Sequence, residues 1–158
     1  MNNSQIIEKF YTAFRDKDWK GMQNCYANDI TFSDPVFPLL KDKAAKAMWH
    51  MLVSASTDLQ ISFNNIVADD KNGSCHWEAV YTFSKTKRKV HNKIKAQFRF
   101  KDGLIIEHTD SFDLWRWSGM ALGASGILLG WSPLVKNKIR SMAAKNLQSF
   151  IEKNSQYQ

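Results

Sequence analysis

The stretch Lys101–Trp117, K-D-G-L-I-I-E-H-T-D-S-F-D-L-W-R-W, decides how the rest of the chain is interpreted. Its Lys-Asp-Gly start supplies the positive φ angle that a tight hairpin turn requires. The residues that follow predict a β-strand, in which alternate side chains share one face. His108 and Asp110 would then share a face with three apolar residues, Leu104, Ile106 and Phe112.

A histidine and an aspartate on the apolar face of a strand are costly to bury unless they are paired or used. Two interpretations of His108 and Asp110 are therefore open. They could be a buried pair whose hydrogen bonds are satisfied within the core. Alternatively, they could form a polar patch at the bottom of a pocket, where perturbed titratable groups are typical of functional sites.

The composition indicates one globular domain. A chain of 158 residues can bury a full hydrophobic core, so we predict a single domain over residues 1–158. The aromatic share of 13% suggests a cavity walled by rings. The net charge is +7, but the only dense basic cluster, residues 85–89, falls where a hairpin turn is expected. Nucleic-acid-binding proteins more often carry a basic stripe along one element, so we expect no nucleic-acid partner.

The two cysteines, Cys25 and Cys75, have neither metal-ligand spacing nor the pattern of a disulfide framework. They are expected to be small buried hydrophobic residues, which fits a reducing compartment. The N-terminal sequence Met-Asn-Asn-Ser-Gln lacks the basic and apolar regions of a secretory signal. The predicted location is therefore the cytoplasm.

Helical periodicity dominates the first third of the chain. The predicted helices cover residues 4–16, 18–26 and 43–54. Ser4 and Asp18 are the expected N-caps of the first two helices. The third is expected to bury Leu52 and to carry Trp49 at its flank. Between the second and third helices a short strand leads into Asp34, which the following proline keeps out of the helical region.

The period changes to two after residue 58. The predicted strands cover residues 59–63, 75–83, 90–100 and the opening stretch, and the last three form an antiparallel meander. The alternation places Trp77, Tyr81 and Asn92 on the inward face of this sheet.

The remaining chain divides into an apolar segment, 118–132, and a predicted helix over 133–153. The 13 residues Gly119–Trp131 contain four glycines and are too short to span a bilayer, so we expect no stable membrane insertion. We expect them to form an irregular flap over a pocket or part of a subunit interface. The final helix is amphipathic and basic, and packing on the domain is favoured over lying on a membrane.

The order of several short motifs resembles the nuclear transport factor 2-like superfamily. These motifs are D-W at 18–19, Y-A-N-D-I-T-F-S-D-P at 26–35, M-W at 48–49 and F-x-F-K-D-G-x-I-x-x-H-x-D-x-F-D at 98–113. The ending H-T-D-S-F-D-L-W is similar to the SnoaL-like and ketosteroid-isomerase-like branch, and the resemblance covers about residues 4–117. It implies an α+β, cystatin-like fold in which a cone-shaped, curved antiparallel sheet wraps around three N-terminal helices, here with an additional C-terminal helix. It also implies a deep apolar cavity and a homodimer.

The candidate site combines the inward-facing residues with this resemblance. The candidate catalytic residues are Asp34, His108 and Asp110. The candidate substrate-binding residues are Phe10, Phe14, Tyr26, Trp49, Trp77, Tyr81, Asn92, Phe98 and Phe112. No metal or cofactor is expected, because no local ligand motif such as H-E-x-x-H is present.

Ketosteroid isomerase chemistry is not favoured. Asp34 matches the position of the general base in those enzymes, immediately before a proline. The matching positions for their two oxyanion donors, a tyrosine and a protonated acid, hold Phe10 and Ala96 instead.

Limonene-epoxide hydrolase chemistry is not favoured either. Asp110 matches the last residue of the Asp-Arg-Asp arrangement of those enzymes. The positions of the arginine and the first aspartate hold Trp77 and Ala79.

SnoaL-like polyketide cyclases need less from the protein, because an intramolecular aldol closure on an acidic carbon can proceed with one acid/base carboxylate in an apolar pocket. The resemblance therefore implies a small-molecule-binding protein that performs acid/base chemistry on a small hydrophobic carbonyl compound. Asp110 and Asp34 would transfer protons, and His108 would orient or share one. The alternative is a non-catalytic module of the same fold that binds a ligand or a protein partner.

Overall fold

The computed structural model describes residues 1–158 and confirms an α+β fold. The helices are α1 (Asn3–Arg15), α2 (Trp19–Gln23), α3 (Asp42–Ala55), α4 (Leu114–Leu122), α5 (Ala124–Leu129) and α6 (Pro133–Lys153). The strands are β1 (Tyr26–Ser33), β2 (Leu40–Lys41), β3 (Gln60–Ala68), β4 (Asn72–Phe83), β5 (Arg88–Lys101) and β6 (Leu104–Ser111).

The six strands form one sheet in the order β2-β1-β6-β5-β4-β3. Neighbouring strands are antiparallel except for β1 and β6, which are parallel. His108 therefore lies between Phe32 on β1 and Phe98 on β5, and Asp110 lies opposite Ala96. Helices α1 and α3 pack against this sheet, and one hydrophobic core fills the space between them.

Helix α1 begins earlier than the sequence suggested. Asn2, not Ser4, is the N-cap, because its side chain accepts a hydrogen bond from the backbone of Gln5 at 2.9 Å. The Gln5 side chain in turn accepts from the Asn2 backbone, also at 2.9 Å. This reciprocal capping box satisfies two donors, whereas a serine cap would satisfy one.

Helix α2 has the predicted cap at Asp18 but ends at Gln23, so the prediction of a helix to residue 26 was wrong. Tyr26 begins strand β1 instead, opposite Ile105. The backbone N–H of Ile105 donates to the carbonyl of Cys25 at 2.9 Å, which fixes the chain in the sheet at this point. Pairing with a distant strand has overridden the local helical pattern.

Helix α3 is rotated relative to the prediction. Leu52 is 39% exposed, and Trp49, expected at the flank, is 2% exposed. The Trp49 ring packs edge-on against Phe14 and Phe32. Burying the larger aromatic surface stabilises this rotation over the one that would bury Leu52.

Strand β6 contains a β-bulge that the simple alternation did not predict. Phe100 pairs with Ile105 and Arg99 pairs with Glu107, so Ile106 is the extra residue. Ile105 is consequently fully buried, whereas Leu104 and Ile106 are only half-buried. The predicted inward face is correct from His108 onward.

The apolar segment after the sheet is helical, not irregular. Helices α4 and α5 form a hairpin joined at Gly123, whose φ of +71° favours glycine. The helices cross closely at Gly126, where a Cβ atom would collide with the carbonyl oxygen of Ser118. Helix α4 packs on the start of β5. None of the helices combines the length and the apolar character that a membrane-spanning helix needs.

Candidate functional site

His108 and Asp110 are the centre of a buried chain of hydrogen bonds. The Trp49 indole donates to the Tyr26 hydroxyl at 2.8 Å, and this hydroxyl lies 2.6 Å from Nδ1 of His108. On the other side of the ring, Nε2 of His108 lies 2.9 Å from Oδ1 of Asp110. The Trp77 indole also donates to this oxygen, at 3.3 Å. Five side chains from α3, β1, β4 and β6 thus form one polar chain inside the core.

Hydrogen-bond satisfaction assigns the protons in this chain. If Asp110 is ionised it only accepts, so Nε2 of His108 carries the proton and donates it. Nδ1 is then the acceptor for the O–H of Tyr26 in a neutral imidazole. A cationic His108 would donate to Tyr26 as well, leaving the tyrosine proton with no other acceptor in the structure. Burial, and next the charge of Asp110, raise the pKa of Tyr26 well above its usual value, in keeping with a donor hydroxyl.

Aromatic rings enclose His108 completely, and it is 0% exposed. The nearest ring is that of Phe98, at 4.4 Å between centroids. Those of Phe32, Phe10 and Trp49 follow at 5.2, 5.5 and 5.7 Å. The inner end of the sheet is thus filled by side chains around a satisfied histidine, which agrees with the first of the two interpretations for this residue.

The Asp110 side chain is nearly as buried as that of His108, at 2% exposed against 0%. The residue is 4% exposed, and its Oδ1 atom accepts both hydrogen bonds described above. Its Oδ2 atom accepts no hydrogen bond. No group of three or more histidine, cysteine, aspartate or glutamate side chains is arranged to hold a metal ion.

Asp34 is a half-buried carboxylate in the turn after β1. Its Oδ1 atom accepts from the backbone N–H groups of Val36 and Phe37 at 2.7 and 2.6 Å. Burial nevertheless raises the pKa of Asp34 to about 6, with the hydrogen bonds opposing the shift and the charge of Asp110 adding to it.

The end of the inward face that carries Tyr81 and Asn92 contains polar groups that are not fully used. Asn92 is half-buried opposite Ala79, and its side chain makes no hydrogen bond within the chain. The Tyr81 hydroxyl accepts from the Trp117 indole at 2.8 Å, and burial raises the pKa of Tyr81. Helix α4, which carries Trp117, thus borders this end of the sheet.

The nine residues predicted to bind substrate fall into two groups. Five lie in the core and are at most 3% exposed: Phe10, Phe14, Tyr26, Trp49 and Phe98. The other four retain more contact with solvent: Trp77, Tyr81, Asn92 and Phe112. Phe10, Trp49 and Phe98 of the first group pack around His108.

Two features of the site had no signal in the sequence. The Tyr26–His108 bond was hidden because Tyr26 was assigned to a helix. The second is the hydroxyl of Tyr11, which is buried and has no hydrogen-bond partner. Burial raises the pKa of Tyr11 well above its usual value, and Asp110 contributes to the rise. Only the three-dimensional packing brings Tyr11 near this carboxylate.

Comparison with known proteins supports the fold and identifies the domain type. A family model described as a SnoaL-like domain matches residues 7–108. No curated protein matches the chain significantly.

Several solved structures share the fold at low identity. One, provisionally assigned as a polyketide cyclase from Xanthomonas campestris pv. campestris, is 21% identical, with a TM-score of 0.61 over 73% of this chain and 93% of that chain. IdmH from Streptomyces antibioticus, also provisionally a polyketide cyclase, is 20% identical, with a TM-score of 0.64 over 77% of this chain and 98% of that chain. A hypothetical protein with a ketosteroid isomerase-like fold from Catenulispora acidiphila DSM 44928, solved with trimethylamine, is 10% identical, with a TM-score of 0.67 over 84% and 100% of the two chains.

Proposed function

This chain belongs to the SnoaL-like family, and on that premise we propose that it binds a small, largely apolar carbonyl compound and transfers a proton on it. The ligand would lie at the end of the inward face that carries Asn92, in contact with Trp77, Tyr81, Asn92 and Phe112. A homodimeric state and a cytoplasmic location remain predictions.

The orientation of Asp110 carries this proposal. One carboxylate oxygen accepts from both His108 and Trp77, and the other accepts no hydrogen bond. A general base must be held in place and still have a free oxygen for the proton it removes. The Trp49–Tyr26–His108 chain supplies the fixed position, since each member is buried and hydrogen-bonded. His108 is thus a positioning residue in this mechanism.

Asp34 supplies the complementary acid. Its pKa of about 6 means that protonated and ionised forms coexist in weakly acidic to neutral solution. In the proposed step, Oδ2 of Asp110 removes a proton from the carbon beside the carbonyl group. The electron pair moves into the enolate, and its oxygen receives a proton from the carboxyl of Asp34 or a hydrogen bond from the amide of Asn92. An enolate formed in this way can be protonated elsewhere or can attack a second carbonyl, which are the isomerase and cyclase outcomes.

Exchange of the carbon-bound proton tests this proposal without knowledge of the natural product. A panel of apolar β-diketones and β-keto esters would be incubated with the protein in D₂O, and loss of the α-proton signal followed by NMR. Asp110→Asn should slow the catalysed exchange by roughly a hundredfold or more. The asparagine carbonyl can still accept from His108 and Trp77, so the fold and ligand binding should be retained.

Asp29→Asn is the matched control, because Asp29 is exposed on β1, the strand that leads to Asp34. This variant should exchange protons at the wild-type rate. Equal rates for wild type and Asp110→Asn, or catalysed exchange with none of the panel, would contradict proton transfer by Asp110.

Non-catalytic ligand binding is the second candidate, and the complete enclosure of His108 favours it. An imidazole with 0% exposure cannot meet a ligand, so its pairing with Asp110 would then be structural. Trp77 contacts Asp110 and should report occupancy through its fluorescence. Saturable quenching by a compound whose α-proton does not exchange would support binding without catalysis.

A further inference from the structure

We propose that the exposed end of the α4–α5 hairpin is a docking surface for an anionic phospholipid membrane. This surface, which we call the hairpin tip, lies at the end of the hairpin away from Gly123 and continues into the start of α6. It consists of large apolar side chains that are each between 50% and 81% exposed: Trp115, Ile127, Leu128, Leu129, Trp131 and Leu134. Contiguous exposed apolar patches of this kind mark interaction sites. The tip lies outside the family-matched region, 7–108, and the proposal is independent of the proposed function.

The backbone carbonyl groups of the hairpin tip have hydrogen-bond partners within the protein and do not depend on water. The last four carbonyl groups of a helix normally depend on water or caps. In α5, two of them accept from backbone N–H groups of the following turn, both at 2.9 Å. The other two, those of Ile127 and Leu128, accept from the indoles of Trp115 and Trp131, again at 2.9 Å. An unsatisfied carbonyl group is costly in an apolar phase. Because these four carbonyl groups are already satisfied, the tip can enter the apolar part of a membrane without breaking a hydrogen bond.

The basic residues near the tip favour a membrane with anionic headgroups as its partner. Between Leu114 and Ile151 the chain has no aspartate or glutamate and five lysine or arginine residues. The basic turn at 85–89 lies at the other end of the hairpin, near Gly123, where the Arg88 guanidinium donates to the carbonyl of Met120 at 2.9 Å. An apolar tip within a basic surface complements anionic lipid headgroups above a hydrocarbon layer. Tryptophans at the boundary are typical of such surfaces.

A second copy of the chain fits this surface less well. Two tips that met would bring their basic residues together, and like charges across an interface are unfavourable. No helix is able to span a bilayer, so the association would be peripheral and reversible. The short α5 helix would insert only its apolar side chains.

Vesicle co-sedimentation tests the proposal with the full chain. The probes are phosphatidylcholine vesicles with and without roughly one third phosphatidylglycerol, at low and high salt. The protein should bind the anionic vesicles at low salt, and both neutral lipid and high salt should weaken binding. Leu128→Ser combined with Leu129→Ser should reduce affinity more than about tenfold. Arg116→Gln combined with Lys138→Gln, two exposed basic residues, should reduce it about tenfold or more.

Val67→Ser is the control, because Val67 is 67% exposed on β3, at the opposite end of the sheet from α4. It should bind vesicles like the wild type, and circular dichroism should show that all variants are folded. The proposal is wrong if the wild type does not bind anionic vesicles, or if the double serine variant binds them as well as the wild type does. A wild-type dimer that the double serine change converts to a monomer, without vesicle binding, would assign the tip to a subunit interface instead.

Discussion

Asp34→Asn should make the protein more stable at neutral pH. Burial is the largest cause that raises the pKa of the native Asp34 carboxyl from its ordinary value of 3.8 to about 6. Between these values the native state holds more protons than the unfolded state, so stability falls as the pH rises through this window. The full difference corresponds to about 2 to 3 kcal/mol, because one pKa unit is worth about 1.4 kcal/mol. The asparagine carries no charge and avoids this loss.

The fold around Asp34 should tolerate the change. The asparagine oxygen can accept the same hydrogen bonds from Val36 and Phe37 that the carboxylate accepts. Urea denaturation at several pH values between 4 and 7.5 would give the free energy of unfolding of both proteins. The variant and the wild type should be nearly equal at pH 4, and the variant should be more stable by about 2 to 3 kcal/mol above pH 7.

Asp69→Asn is a control with the same local geometry. Asp69 accepts from the backbone N–H groups of Lys71 and Asn72 at 2.8 and 2.7 Å, in a turn like that of Asp34. It is exposed, and these hydrogen bonds lower its pKa. Its contribution to stability is present above the unfolded-state pKa and is lost in acid, so this variant should lose stability at neutral pH. A difference between Asp34→Asn and wild type that does not change with pH would refute the reasoning.

Two further pairs of substitutions test the packing. Tyr26→Phe should destabilise the protein by about 2 to 4 kcal/mol, because the Trp49 indole and the paired imidazole would each lose a buried partner. Tyr11→Phe should be neutral or stabilising in the same urea titrations, since it removes a buried hydroxyl that has no partner. Gly126→Ala should disrupt the α4–α5 hairpin through a backbone collision, with faster amide hydrogen exchange there. Gly119→Ala should be within about 1 kcal/mol of wild type, because its Cβ would meet only one side-chain carbon, Cγ1 of Ile127, at 3.2 Å and no backbone atom.

The strands of the sheet could be predicted because burial on one face imposes a strict period. On β4 and β5 the inward positions Trp77, Ala79, Ile94, Ala96 and Phe98 are all buried as expected. A shift by one residue would expose this whole set, so few alternatives compete. The same reasoning placed His108 and Asp110 on one face.

The features that the sequence did not predict depend on contacts between distant elements. Tyr26 joined a strand rather than a helix because β6 was available to pair with it. The rotation of α3 followed from the space that the sheet leaves for the Trp49 ring. The enclosure of His108 needs both events, since Trp49 and Tyr26 are its neighbours in the core. The α4–α5 hairpin was missed because its glycines, taken alone, favour loops over closely crossing helices.

The parallel pairing of β1 with β6 has a consequence for how the chain folds. Ser33 and Thr109, neighbours across this seam, are 76 residues apart in the chain. Contacts between such distant segments form late, because the entropy of closing the loop must be lost first. During synthesis, β1 and the face of α3 that carries Trp49 are made before the strand that holds His108 and Asp110, and they cannot pack against it until it has been made. Until β6 pairs with β1, the aromatic side chains of β1 and α3 remain in contact with water. His108 and Asp110 are therefore buried in the same step in which the core closes.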